Sequence, residues 1–71
     1  MDYPTSTSSI RQAAYFDAIR EADKTLDEAL SNVRADSNSG RITPAAAATK
    51  RCGLLERHLQ ECRRLRREML P

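Results

Sequence analysis

Near its middle the chain is punctuated twice, by Asp36-Ser37-Asn38-Ser39-Gly40 and then by Thr43-Pro44. The first run is a dense cluster of turn formers, and Gly40 can take the positive φ at which many helices end. The second is an N-cap residue followed by proline, which is tolerated at a first helical position because its missing N–H would be unbonded there anyway. Both flanking segments carry apolar residues at helical spacing. Two helices joined by a short loop pack antiparallel, so the sequence predicts a helix–loop–helix hairpin.

Composition agrees. Ala, Leu, Glu, Arg and Lys dominate, while the β-branched aliphatics are only Val33, Ile10, Ile19 and Ile42. That mixture favours helix over strand. The longest apolar run, Ala45 to Ala48, is far too short to span a bilayer. The N-terminus, Met1-Asp2-Tyr3-Pro4, has neither a basic nor an apolar leader segment, and a cytoplasmic protein is expected.

Residues 1–8 are polar and interrupted by proline, and are expected to form a flexible tail. Ser9 to Gln12 fits a capping box, which starts the first helix at Ser9 and carries it to Ala35. Its apolar stripe is Tyr15, Ile19, Ala22, Leu26, Ala29, Leu30 and Val33, within an arc of ~100°. Phe16 projects off the stripe and is expected to widen the core face. The loop spans 36–43 and the second helix 44–70, which completes a single domain over 9–71.

The second helix is apolar over a wider arc, ~160°. Its main stripe is Ala48, Cys52, Leu55, Leu59, Cys62 and Met69, and Ala47, Leu54, His58 and Leu65 form its flank. A turn centred near Ser39 would set Leu26 against Cys52, Ile19 against Leu59 and Phe16 against Cys62. It would also bring Lys50 and Arg51 near Glu28 and Asp27. The charge distribution suits this arrangement: residues 1–40 carry four basic and seven acidic side chains, residues 41–71 eight and three.

With 71 residues, a monomer buries only ~60% of the surface its unfolded chain exposes, and is marginal. Disulfides, metals or oligomerisation usually make up the deficit. Cys52 and Cys62, the two cysteines, fall on one helix with backbones ~15 Å apart, so they cannot bridge each other. His58 and Cys62 share a helix face but supply too few ligands for a structural zinc site. They also lack the orienting group and cleft of a nucleophilic pair. Neither a metal nor a cofactor is expected, and neither is catalysis or a small-molecule substrate. Gly53 lies on the polar face, where core packing does not account for it. Arg66 falls within the apolar arc, at a helix end where it can snorkel.

A stripe too wide for one neighbour leaves association as the expected remedy. The hairpin is all-α and is expected to dimerise into a four-helix bundle or to pack on another helical protein. The interface would draw on Ile19, Leu26, Leu30, Leu55, His58, Leu59, Cys62, Leu65 and Met69. The function expected is therefore a non-catalytic protein–protein interaction module: an adaptor, a small chaperone or a regulator. The alternative is a dimer binding RNA or DNA through Lys50, Arg57, Arg63, Arg64 and Arg67 on the basic face of the second helix. No stacking aromatic lies among these cations, and Glu61 and Glu68 offset them. In architecture alone such a hairpin resembles the Rop-type RNA-binding dimers and the small co-chaperones of type III secretion systems. The resemblance implies a four-helix assembly and carries no functional residue over.

Overall fold

The computed structural model describes residues 5–70, with side chains from Ser9 onward. It is the expected all-α hairpin: α1 spans Thr5–Asn38 and α2 spans Pro44–Met69. The two lie side by side in a slab measuring 62 × 17 × 9 Å.

The loop is stopped and restarted by local chemistry. Gly40 has φ 79° and sits just past the end of α1. The Gly40 N–H donates to the Ser37 carbonyl at 3.2 Å, and the Arg41 N–H reaches back to the Asp36 carbonyl at 2.9 Å. These two bonds make a Schellman motif, which satisfies carbonyls that the ended helix leaves free. The Arg41 guanidinium lies 3.8 Å from the Asp36 carboxylate across the same turn. Thr43 then caps α2: its Oγ1 accepts from the Ala46 N–H at 3.1 Å, with Pro44 in the first turn. At the far end Arg66 and Arg67 occupy the last turn, where cations offset the negative pole of the helix dipole.

Both ends of α1 differ from expectation. The helix begins at Thr5 rather than at a Ser9 cap, so residues 5–8 are helix and not tail; residues 1–4 lie outside the described residues. It also runs to Asn38 rather than Ala35. Extending a formed helix adds one hydrogen bond per residue fixed. Ser, Thr, Asp and Asn cost only ~0.5 kcal/mol each against Ala, so none of them stops it. Glycine does.

The longer α1 moves the turn along the chain, and the register with it. Asp23 meets His58, with Oδ1 2.9 Å from Nε2, where the expected turn would have set it against Leu55. The shift is about three residues, nearly a full helical turn. The expected pairings of Leu26 with Cys52, Ile19 with Leu59 and Phe16 with Cys62 fall with it. Lys50 and Arg51 make no ion pair with Glu28 or Asp27; among the described residues the Asp23–His58 hydrogen bond is the one contact between acidic and basic side chains that crosses between the helices.

The core is thin. Among the described residues only Val33, Ala47 and Leu65 are buried. All seven residues of the expected α1 stripe, from Tyr15 to Val33, are buried or half-buried, so that face points at α2 as read. On α2 the assignment reverses. The supposed flank (Ala47, Leu54, His58 and Leu65) packs against α1, while Cys52, Leu55 and Leu59 of the supposed main stripe are exposed.

The two glycines have opposite roles. A Cβ built at Gly53 meets nothing within 4 Å and its φ is ordinary, so Gly53→Ala should stabilise α2 by about 1 kcal/mol. Gly40→Ala has equal room but forces an L-residue into the left-handed region, and should cost about 1–2 kcal/mol. Thermal melts followed by circular dichroism should move in opposite directions, by about 4–8 °C per kcal/mol in a chain of this size.

Candidate interaction face

Helix α2 carries two seams on the same three-and-four register, offset by one residue, the first interrupted by Arg51 and Glu61 where the second has Cys52 and Cys62. One runs through Ala47, Leu54, His58 and Leu65; the other through Ala48, Cys52, Leu55, Leu59 and Cys62. One residue is ~100° of helix rotation, so the seams look toward two neighbours at roughly a right angle. The first seam has its neighbour in α1. Most of the second has none: Leu55 is 49% exposed and Leu59 50%.

On α1 the matching side holds Phe16, Ile19 and Leu30. Phe16 is 57% exposed and does not widen the core as expected. Its ring leans on Tyr15, with centroids 5.6 Å apart and planes at 56°. Phe16, Ile19, Leu30, Leu55, Leu59 and Cys62 thus share one broad side of the hairpin. The opposite side is a shallow groove floored by small residues, Ala18, Ala22, Thr25 and Ala29, with Leu54, Arg57 and Glu61 along its α2 wall.

The groove side is fenced by charge. Arg64 donates from Nε and Nη2 to the two carboxylate oxygens of Glu61, at 2.9 and 2.6 Å, and from Nη1 to Glu68 at 2.8 Å. The forked guanidinium holds the Glu61 carboxyl below its ordinary range, and the two carboxylates raise the already high pKa of Arg64. This ladder contributes fully above the ordinary carboxylate range and is lost as pH falls through the lowered pKa of Glu61.

The ladder also bears on the basic residues. Arg64, one of the five expected cations, is committed to Glu61 and Glu68. Lys50 and Arg57 edge the groove side. Arg63 and Arg67 stand apart from them, around a depression at the end of α2 with Arg66 and Leu70. The five residues therefore form two groups rather than one continuous track.

His58 sits at the centre of the interhelical contact. An ionised carboxylate only accepts, so His58 Nε2 carries the proton and donates to Asp23 Oδ1. The Cys62 Sγ lies 3.5 Å from that same nitrogen. In a nucleophilic triad the acid and the nucleophile address opposite nitrogens of the imidazole, so this cluster is not a relay. Burial, followed by the charges of Asp23 and Glu61, pushes the Cys62 thiol pKa up, away from thiolate chemistry. Among the described residues no three His, Cys, Asp or Glu side chains are placed to hold a metal ion. The cluster is a polar clasp holding the helices in register.

Of the nine expected interface residues, Leu65 is buried within the hairpin. Ile19, Leu26, Leu30, His58, Cys62 and Met69 are half-buried. Leu55 and Leu59 are exposed. Asp23 was missed because its significance depends on the register. No helix is long and apolar enough to cross a membrane among the described residues. Set against protein-family models, curated proteins and solved structures, the chain matches none of them.

Proposed function

We propose that this chain is a non-catalytic protein–protein interaction module, an adaptor, small chaperone or regulator that acts in the cytoplasm through its apolar helix faces. One observation carries the reading. The accessible surface is 5701 Å², whereas a compact monomer of 8.0 kDa exposes about 4450 Å². The hairpin therefore leaves on the order of 1200 Å² in excess, and Phe16, Leu55 and Leu59 stand in it on one side. Large apolar side chains exposed together on one side, rather than scattered singly, mark interaction surfaces. Two free cysteines on one helix, too far apart to bridge, suit a reducing compartment.

The reading over the basic residues is weaker, because Arg64 is spent on Glu61 and Glu68 and the other four cations divide into two groups.

Leu59→Arg separates folding from association. Leu59 is half-exposed and faces away from α1, so the variant should keep its helical circular dichroism. Self-association in sedimentation equilibrium, or capture of a partner, should be lost. A folded Leu59→Arg variant that associates as well as the parent chain would overturn the reading.

A further inference from the structure

The uncovered seam has a symmetry that names its occupant. Cys52, Leu55, Leu59 and Cys62 are spaced three, four and three residues apart, so the seam reads the same in both directions about a point level with Arg57. A contact between identical surfaces related by a two-fold axis requires this kind of self-complementarity.

Resting on the interaction-module reading, we propose that the occupant is a second copy of this chain, with α2 packed antiparallel on α2 about a two-fold axis level with Arg57. This sets Cys52 of each copy opposite Cys62 of the other, and Leu55 opposite Leu59. Ala48 comes opposite Arg66, where the small side chain leaves the long one room to reach water. The steps from Ala48 to Met69 alternate four and three throughout, the spacing of a coiled-coil seam. The right angle between the two seams of α2 is the corner of a four-helix bundle, with α1 on one side and the second α2 on the other.

The same axis organises α1. Because Asp23 lies level with His58, the axis crosses α1 at Lys24, and the turns that carry Phe16 and Ile19 fall level with the 29–32 segment of the second copy. About this axis the two copies overlap over the length of α2, ~39 Å, and the 17 Å width of the slab, on the order of 650 Å² per copy, within the ~600–1,000 Å² per partner of a standard interface.

The register is testable with the protein's own thiols. In this arrangement like cysteines of the two copies are ~15 Å apart, as are the two cysteines of one chain. A short bis-maleimide therefore links Cys52 only to Cys62 of the other copy. Cys52→Ser and Cys62→Ser variants should each give no covalent dimer alone and a strong one when mixed in equal amounts. In the parent chain, peptide mapping should join Cys52 to Cys62. A dimer whose single variants cross-link alone, Cys52 to Cys52 or Cys62 to Cys62, would overturn the antiparallel register while leaving the interaction-module reading intact. A helical monomer up to millimolar concentration overturns the second copy as occupant. If Leu59→Arg also spares partner capture, the broader reading fails with it.

Discussion

Leu65→Ala should all but unfold the hairpin at concentrations where the chain is monomeric. Leu65 is 7% exposed and is the one large side chain of α2 that is buried. Truncating a buried leucine costs about 2–5 kcal/mol, through lost transfer free energy and the cavity left behind. A chain of 71 residues has a total stability of only ~4–10 kcal/mol. With a core of three residues, the lower end of that range applies. The control is Leu59→Ala, the same chemical change one seam away. Leu59 is 50% exposed, so its truncation should cost about 1 kcal/mol in the monomer. Urea titrations followed at 222 nm in dilute solution compare the two. Equal losses would mean that α2 is rotated from the orientation described.

Ala47→Leu should cost nearly as much, for the opposite reason. Ala47 is 1% exposed, the most enclosed side chain described, in the first full turn of α2 after the loop. There the helices have just been joined and cannot part without opening the Gly40 turn. Added methylenes in a closed site force neighbouring side chains or backbone to shift, at about 1–3 kcal/mol. Ala45→Leu, exposed in the same turn, should change stability by less than about 0.5 kcal/mol. A tolerated Ala47→Leu would show that the loop end of the hairpin is not its closest-packed point.

Much of this architecture is legible in the residues. The turn cluster, the Gly40 exit and the Thr43-Pro44 start each rest on short-range chemistry that no distant contact overrides. The α1 stripe is also readable, because α1 has one apolar face with charged residues elsewhere. The boundaries of α1 were less legible. Asp36, Ser37 and Asn38 favour turns only weakly, and a helix already formed continues through them until glycine ends it.

The orientation of α2 was not legible. Its two seams follow the same register one residue apart, and apolar periodicity favours the Ala48 seam, because Arg51 and Glu61 interrupt the Ala47 seam that packs inside. Packing decided otherwise for a reason visible at the far end of the helix. The Ala47 seam arrives at Leu65, whereas the Ala48 seam arrives at Arg66, and burying a guanidinium without a partner costs far more than exposing two leucines. The register was likewise a tertiary matter. Once α1 ran to Asn38, Asp23 came level with His58 and gained a hydrogen-bond donor across the interface.

The sequence by itself thus determined that the chain is two helices, where they turn, and that their combined apolar surface exceeds what one hairpin hides. Only the tertiary structure decided which seam of α2 is spent inside and which is left exposed. Spacing along a chain encodes local conformation, while the choice between competing faces depends on what the other helix can accept.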